Sequence, residues 1–273
     1  MAKTVLITGC SSGVGNETAR AFLDEGWTVY ATARNTDDIA SLEEAGCEIA
    51  SLDVTDEEEI SAVVDRVIDE HGRIDCLVNN AGYGQFGPVE DVSTDLIEAQ
   101  FDVNVYGPHR LTRAALPHMR ERGEGTIINV SSAAGRVSVP GMGTYCGSKH
   151  ALEAMSDALR SEVDAHGVDV ALVEPGPVST SFADRANDEL KKLDQSDAYD
   201  TVYRFYEDSE VFGGQTPVAV SPAKVAETIL EAGVSPAPSA RYPVGSVSIL
   251  ADKTRYLPDS IRDAVYRQLL RLL

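Results

Sequence analysis

The stretch "TVLITGCSSGVGNETARAFLDEG", residues 4–26, joins an apolar run to an amphipathic run through a glycine-rich turn. The apolar run predicts a buried strand, and the part after the turn predicts a helix. A strand, a glycine-rich turn and a helix in this order aim backbone N–H groups and a helix N-terminus at a pyrophosphate. Glycine-rich loops also occur for other reasons, but the context here favours a dinucleotide site. Its predicted loop residues are Gly9, Ser11, Ser12, Gly13, Val14 and Gly15.

Beyond this turn, short apolar strands alternate with amphipathic helices along the whole chain. Continuous apolar strands separated by helices are typical of a parallel sheet that is covered on both faces. The capping-box spacing of Thr55 and Glu58 and the pair Ser221-Pro222 predict two of the helix starts. We therefore predict an α/β protein: a Rossmann-type doubly wound parallel sheet of about seven strands, in one domain over residues 1–273. The predicted strands are Lys3–Thr8, Thr28–Thr32, Glu48–Leu52, Ile74–Val78, Thr126–Val130, Asp169–Val173 and Arg241–Val244.

The chain is strongly acidic. Its 23 basic and 44 acidic side chains give a net charge of −21, and arginine outnumbers lysine by 17 to 6. Such a surface repels nucleic acids and anionic membranes, so neither is an expected partner. Acidity with little lysine resembles proteins from salt-loving organisms, whose self-repulsion is screened by ions. On that hypothesis stability rises in molar salt, whereas an acidic protein from an ordinary habitat is the alternative.

The sequence also bears on compartment and metals. It has no run of 18 apolar residues, and the first residues enter a strand with no room for a signal peptide, so we expect a cytoplasmic protein. Cys10, Cys47, Cys76 and Cys146 form no Cys-x-x-Cys pair, which predicts reduced and mostly buried thiols. The five histidines lack metal-ligand spacing, so no metal site is predicted.

The end of the second predicted strand bears on cofactor choice. A fold selective for NAD places Asp or Glu there to bind the ribose 2′-hydroxyl. This chain has Ala33 followed by Arg34, and a guanidinium can bind a 2′-phosphate where a carboxylate would repel it. We therefore predict NADP(H) in preference to NAD(H), with a solvated Arg34 as the alternative. The same residue disfavours an S-adenosylmethionine methyltransferase, which also requires an acid here.

Tyr145 and Lys149 lie four residues apart at the start of a predicted helix, so their side chains leave the same face. Alone, this spacing arises easily by chance. Six motifs in order change that assessment, because together they resemble the short-chain dehydrogenase/reductase family, in its single-domain branch of hydroxysteroid and retinol dehydrogenase-like members. The resemblance covers roughly residues 3–245. The motifs are "TGCSSGVG" (8–15), "NNAG" (79–82), "VNVYG" (103–107), "INVSSAAG" (128–135), "YCGSK" (145–149) and "EPGPVST" (174–180).

The resemblance implies a role for each matching residue. Tyr145 is expected to be the general acid in reduction and the base in oxidation, and Lys149 to hold the nicotinamide ribose and lower the pKa of Tyr145. Ser132 is expected to bind the substrate oxygen beside Tyr145, and Asn104 to anchor a water relay to Lys149. The other implied cofactor contacts are Asp53, Val54, Asn80, Ala81, Gly82, Pro175, Val178 and Thr180.

The expected activity is hydride transfer between NADP(H) and a secondary alcohol or ketone. A tyrosine of ordinary pKa near 10 needs roughly 4 kcal/mol of selective phenolate stabilisation to act near neutral pH. A desolvated ammonium one turn away is a plausible source of it. The alternative is a binding protein on the same fold that senses the dinucleotide without turnover.

Two segments bear on substrate and assembly. In a predicted lid over about residues 181–215, aromatic side chains either pack in the core or cover a bulky, apolar substrate. The amphipathic tail, about 246–273, is expected to pack on its own domain or a neighbouring subunit rather than on a membrane surface. The resemblance adds an expectation of homodimers or homotetramers. The aromatic residues are Tyr199, Tyr203, Phe205, Tyr206 and Phe212; the tail opposes Ile261, Val265, Leu269 and Leu272 to Arg262, Arg267 and Arg271.

Overall fold

A computed structural model describes residues 2–208 and 216–271 of the chain, without the side chains of residues 207, 208 and 269–271. Its centre is one parallel sheet of seven strands in the order β3-β2-β1-β4-β5-β6-β7. The prediction of a doubly wound sheet is confirmed, and strand ends differ from prediction by two residues at most. The strands are β1 Thr4–Ile7, β2 Thr28–Ala33, β3 Glu48–Ser51, β4 Cys76–Asn79, β5 Gly125–Val130, β6 Val168–Pro175 and β7 Arg241–Val244.

Helices cover both faces of the sheet. Successive side chains of each strand point to opposite faces, and here both faces are apolar, so each is packed against helices in its own core. Val5 and Ile7 of β1 point into one core, and Leu6 between them points into the other. Each fully buried side chain of this size contributes about 1.5–3 kcal/mol. The helices are α1 Gly13–Asp24, α2 Ala40–Ala45, α3 Glu57–His71, α4 Thr94–Phe101, α5 Gly107–Arg122, α6 Gly143–Val163, α7 Phe182–Leu190, α8 Asp200–Asp208, α9 Pro222–Val234, α10 Ser246–Thr254 and α11 Asp259–Arg271.

The two cores assign the helices to faces. Phe22 of α1 and Ile229 of α9 pack in the core that contains Val5. Val63 of α3 and Leu111 of α5 pack in the core that contains Leu6, together with the end of α6. The sheet is therefore the middle of three layers.

The strand order places a crevice at the carboxyl edge of the sheet. The chain moves from β1 outward to β2 and β3, then returns to β4 on the other side of β1. Ligands of such sheets bind where the winding direction reverses, outside the carboxyl ends of the strands. The glycine-rich turn after β1 and the residues that follow β4, β5 and β6 all emerge at this edge.

The helix starts show one confirmed and one wrong prediction. Ser221 caps α9, because its Oγ accepts a hydrogen bond from the Lys224 N–H at 3.2 Å. Asp56, not Thr55, caps α3: its Oδ1 accepts from the N–H groups of Glu58 and Glu59. The Thr55 hydroxyl is turned away because it donates to Asp53 Oδ1 at 2.7 Å.

The carboxyl-terminal helices lie at the surface. α11 contacts α8, yet its apolar residues Ile261 and Val265 remain 47% and 52% exposed. The side chains of Leu269, Arg271 and Leu272, which the amphipathic prediction also used, lie outside the described residues. Within the described part of the chain, we find no helix with the length and apolar character needed to cross a membrane.

Candidate active site

A cleft of about 970 Å³ opens at the carboxyl edge of the sheet. It brings together nearly all the residues that the sequence assigned to a site, from the glycine-rich turn to the segment after β6. Gly15 and Asn104 are not among the described lining residues, and both lie just behind the wall. The assigned residues that line it are Gly9, Ser11, Ser12, Gly13, Val14, Arg34, Asp53, Val54, Asn80, Ala81, Gly82, Ser132, Tyr145, Lys149, Pro175, Val178 and Thr180.

The amino end of α1 forms one end of the cleft. Ser12 occupies the N-cap position but makes no side-chain capping bond, and the first turn carries no acidic residue. A Cβ at Gly15 would lie 2.3 Å from the Gly9 carbonyl oxygen, so only glycine lets the turn fold this tightly. The first N–H groups of α1 are thus left for an anion, as a dinucleotide pyrophosphate requires. The residues present fit such a cofactor.

Arg34 follows β2, and Asp53 follows the neighbouring strand β3. Burial alone would raise the pKa of Asp53, but two hydrogen bonds from Thr55 and the charge of Arg34 outweigh it, so the pKa is lowered. Asp53 is therefore an anion that can accept hydrogen bonds. Arg34 is exposed on the cleft wall and able to turn toward a ligand.

Tyr145 lies in the first turn of α6 and is 5% exposed. Ser132 Oγ accepts from the Ala134 N–H at 3.1 Å, which fixes the oxygen and leaves its own proton to donate. Burial raises the pKa of Tyr145, and the nearby Ser132 hydroxyl opposes that rise. In the polypeptide alone the phenol of Tyr145 is therefore held protonated.

Lys149 lies one turn further along α6. Its Nζ is 5.9 Å from the centre of the Tyr145 ring and donates to the Val130 carbonyl oxygen at 2.9 Å. Burial lowers the pKa of Lys149 to about 8, against the charge of Glu153, which raises it. The expectation that Lys149 lowers the pKa of Tyr145 stays a prediction, because the causes that act on the phenol in the polypeptide alone are burial, Ser132 and Cys146.

Asn104 lies in a π-helical turn, Asp102–Tyr106, between α4 and α5. Its amide nitrogen donates to the Tyr83 carbonyl at 2.9 Å and to Ser148 Oγ at 3.1 Å. Its amide oxygen accepts from the Tyr83 N–H at 3.1 Å. Because an amide oxygen has two acceptor positions, one remains for a further partner behind Lys149.

The opposite end of the cleft is apolar. The rings of Phe86 and Phe182 flank Tyr145, with ring centres 5.9 and 5.7 Å from that of Tyr145. The sequence motifs did not identify either residue. Phe86 lies in a loop and Phe182 begins α7, and both fall outside the six motifs. Other apolar side chains on this wall are Val137, Val139, Met142 and Val247.

The tyrosines of the predicted lid pack in the protein instead of lining the cleft. Tyr203 and Tyr206 are each 3% exposed in a cluster around Phe86. The Tyr203 hydroxyl donates to Asp91 at 2.5 Å, and the Tyr206 hydroxyl donates to the Pro140 carbonyl at 2.7 Å. Tyr199 lies in a separate turn before α8. Phe212 falls outside the described residues.

Arg185 of α7 is a second residue that motif reading missed. Its Nη2 donates to Ser12 Oγ and to Ser181 Oγ, both at 2.9 Å. The guanidinium therefore lies over the amino end of α1. No local sequence pattern predicts this contact of Arg185, because its partner Ser12 is 173 residues away in the chain.

Two buried glutamates lie behind the catalytic residues. Glu153 is on α6, four residues after Lys149, and Glu174 is near the end of β6; they are 4% and 1% exposed. Burial and the charge of Glu153 raise the pKa of Glu174 to about 7, although Arg136 and Arg241 act to lower it. Their positions fall within the quoted motifs or beside them, but the motifs assign them no role.

Comparison with known proteins agrees with this geometry. Residues 3–191 match the short chain dehydrogenase family. The chain is 38% identical to the oxidoreductase YbbO of Escherichia coli (strain K12) over 270 residues, 97% of this chain and 94% of that one. It is 37% identical to 17-beta-hydroxysteroid dehydrogenase type 1 of Homo sapiens over 260 residues, covering 89% and 77% of the two chains.

Solved structures give the same answer. A short-chain dehydrogenase from Streptomyces avermitilis superposes with a TM-score of 0.81 at 36% identity, covering 99% of this chain and 98% of that one. A metagenomic short-chain oxidoreductase in complex with NADP has a TM-score of 0.69 at 29% identity, covering 89% and 96%. A Burkholderia phymatum relative in complex with NAD has a TM-score of 0.79 at 26% identity, covering 96% and 95%. This chain therefore belongs to the short-chain dehydrogenase/reductase family of oxidoreductases that act on CH–OH groups.

Proposed function

We propose that the protein transfers a hydride between NADP(H) and a bulky, apolar secondary alcohol or its ketone. The observation that carries this proposal is that Tyr145 and Ser132 line the same cleft as the bare amino end of α1. A proton donor and an anion site thus share one cleft. We propose further that Arg185 binds the cofactor pyrophosphate from the lid side, because it already lies over Ser12.

The residues of the chain handle the oxygen and its proton. Ser132 donates a hydrogen bond to the substrate oxygen, and Tyr145 gives that oxygen its proton in reduction or takes it in oxidation. Bound NADP(H) supplies or accepts the hydride. Lys149 and the free acceptor position of Asn104 hold the ribose side and a water that connects them to solvent. The apolar rings of Phe86 and Phe182 exclude water from the reacting oxygen.

NADP(H) preference rests on Arg34. The guanidinium can form charged, paired hydrogen bonds to a 2′-phosphate, and no carboxylate follows β2 directly to repel one. One structural relative was solved with NADP and another with NAD, so the family accommodates both. We expect Arg34→Leu to weaken NADPH binding by about tenfold to a hundredfold and NADH binding by less than threefold, as one strong charged contact implies.

Titration of each cofactor, followed by its fluorescence, measures this difference. Arg120→Leu, an exposed arginine of α5 away from the cleft, is the matched control and leaves both affinities unchanged. Equal loss of NADH and NADPH binding in Arg34→Leu would contradict the 2′-phosphate contact. Tighter binding of NADH than NADPH by the unaltered protein would overturn the preference itself.

The substrate proposal rests on the apolar wall opposite α1. A cleft this large, lined there by aromatic and aliphatic side chains, suits a bulky hydrophobic ligand. The relative named 17-beta-hydroxysteroid dehydrogenase supports the same substrate class. Loss of NADPH absorbance over a panel of ketones, from short aliphatic to polycyclic, tests it. Turnover confined to small polar ketones would refute the bulky, apolar assignment.

The alternative, a dinucleotide sensor without turnover, has no observation in its favour. Ser132, Tyr145, Lys149 and Asn104 are all retained and lie together, as catalysis requires. Tight cofactor binding with no turnover over the whole panel would support the sensor instead. We also propose, from the family resemblance alone, a homodimer or homotetramer, which sedimentation equilibrium tests directly.

A further inference from the structure

A cluster of charged side chains is buried directly behind Tyr145 and Lys149. Glu153 comes from α6, Glu174 from the end of β6, Arg136 from the turn after Ser132, and Arg241 from the start of β7. The side chains of Arg136, Glu153 and Glu174 are 7%, 6% and 1% exposed. Arg241 is 23% exposed, and burial of the other three charged groups beside it is costly unless each is paired.

The arginines contact both glutamates. Arg241 Nη2 lies 3.1 Å from Glu153 Oε2, and its Nε lies 3.1 Å from Glu174 Oε1. Arg136 Nε lies 3.6 Å from Glu174 Oε1, and its Nη1 lies 3.7 Å from Glu153 Oε2. The four groups therefore form one unit.

Three further charged residues complete the unit at its rim. Arg136 Nη2 contacts Asp252 of α10 at 2.5 Å, and Arg241 Nη2 contacts Asp157 of α6 at 2.7 Å. Arg160 pairs with Asp157. With every group ionised, four carboxylates face three guanidinium groups, which leaves one negative charge in excess. A single proton on the glutamates makes the unit neutral.

The hydrogen-bond pattern points to the same proton. The Glu153 and Glu174 carboxyl groups meet at the same two arginines, Arg136 and Arg241. Glu153 Oε1 and Glu174 Oε2 are buried without a hydrogen-bond donor, and Glu174 Oε1 meets Arg241 only as an ion pair. Ionised carboxylates only accept hydrogen bonds, so two that face each other need a proton between them. The raised pKa of Glu174 agrees with this arrangement.

The pair also touches the catalytic framework. Glu153 is one turn after Lys149 on the same buried face of α6, and its charge acts to raise the pKa of Lys149. A Cβ at Gly135 would lie 2.7 Å from Ser131 Oγ and 2.9 Å from Glu153 Cγ, so this glutamate packs against the serine segment. Glu174 directly precedes Pro175 of the cleft wall.

We propose that Glu153 and Glu174 share one proton beneath the active site, and that the negative charge left on the pair keeps Lys149 protonated and bonded to Val130. Glu153 is thus a positioning residue that acts through Lys149. The kinetic part of this inference rests on the proposed function, whereas the shared proton does not.

The shared proton is tested in the ligand-free protein. Isotope-edited infrared spectroscopy with labelled glutamate is expected to show a carboxylic acid band at neutral pH that Glu174→Gln removes. The pKa of Glu174 is raised on folding, so its contribution to stability is present below about 4.5 and is lost as pH rises through about 7. Glu174→Gln lacks this loss, so its melting temperature should gain on that of the unaltered protein across this window. Absence of the acid band, or a constant melting-temperature difference, would overturn the shared proton.

The effect on Lys149 is tested with Glu153→Gln, which keeps the size but removes the charge that acts on Lys149, and leaves any charge of the pair on Glu174. The pKa of Lys149 should fall by about one unit, as expected for loss of one nearby opposite charge. Lysine-selective nitrogen NMR reads this titration without turnover, and the alkaline limb of the kcat/KM profile should move by the same amount. Asp157→Asn removes a charge from the half-exposed rim and is the matched control, with the limb left in place. Glu153→Asp, which restores the charge, should restore the limb.

An unchanged Lys149 titration in Glu153→Gln would refute the positioning role. If the protein turns over no ketone, the proposed function fails, but the infrared and NMR measurements still decide this inference. Should Glu153→Gln fold poorly, Glu174→Gln carries the comparison in the other direction. It leaves the full charge on Glu153, so the pKa of Lys149 should rise, and a fall would refute the positioning role.

Discussion

Helix α6 carries two buried ionisable groups that are partnered in opposite ways. Lys149 and Glu153 are 6% and 4% exposed and one turn apart. Among the described residues, Lys149 has no carboxylate within ion-pair distance, and its ammonium donates to a single carbonyl oxygen. Glu153 contacts two arginines. The group that faces the cleft is left able to change its charge, and the group behind it is fixed by several partners.

The contrast separates two uses of burial. Burial without a counter-ion lowers the pKa of Lys149 to about 8, which suits a group that must respond when a cofactor and substrate arrive. Glu153 and Glu174 both contact Arg241, and these contacts hold α6, β6 and β7 together. Substitutions on the two sides of α6 should therefore have different effects. Those that face the cleft should lower activity, and those in the charged unit behind it should lower stability.

The largest effect is expected for Tyr145→Phe. Loss of the proton donor should lower kcat by about 10⁴-fold, or about 5.5 kcal/mol, because the remaining groups cannot protonate the substrate oxygen. Initial rates with NADPH and the best ketone of the panel measure it. Cofactor affinity and melting temperature are the controls, and both should stay close to those of the unaltered protein because the ring remains packed between Phe86 and Phe182. A kcat within tenfold of the original would assign the proton to another group.

Arg136→Met should instead lower the free energy of unfolding. Removing this buried guanidinium leaves Glu153 and Glu174 short of one partner, at a cost of about 3–4 kcal/mol near neutral pH. Urea unfolding measures the free energy of unfolding. The loss should shrink at mildly acidic pH, as protons replace the missing charge on the glutamates. The rim variant Asp157→Asn should cost less than about 1 kcal/mol, since that carboxylate is half exposed. Similar losses for both variants would remove the distinction between core and rim.

The two regions also differ in how far sequence predicts them. The glycine-rich turn, the seven strands and the Tyr145–Lys149 pair follow from local spacing, since a strand, a turn or a helical face is set by residues a few positions apart. The prediction of Thr55 as the cap of α3 was wrong because the Thr55 hydroxyl donates its hydrogen bond to Asp53, three residues upstream of Asp56.

Local sequence spacing could not predict the charged unit behind α6. Arg136 and Asp252 are 116 residues apart in the chain, and Glu153 and Arg241 are 88 apart. Only the strand order, which places β7 beside β6, brings them together. The same holds for Arg185 over Ser12. Local spacing places Tyr145 and Lys149 on one helical face and the family resemblance implies their roles, whereas their electrostatic surroundings depend on neighbours that are distant in the chain.

Lys149→Met should change the free energy of unfolding least, and it tests most directly whether the buried ammonium of Lys149 lacks a partner. The pKa of Lys149 falls from its ordinary 10.5 to about 8 on folding, so the folded state disfavours the ammonium. For a lowered pKa, the unaltered protein gains stability as pH rises from about 8 to 10.5 and lacks that gain below 8. Methionine avoids the cost but loses the bond to Val130, so we expect it to be about 1–2 kcal/mol more stable at pH 7. The advantage should vanish above pH 10.5, while turnover is low throughout. Urea unfolding across this range measures both limits, and Lys149→Met less stable at pH 7 would mean that the ammonium is paired in the folded protein after all.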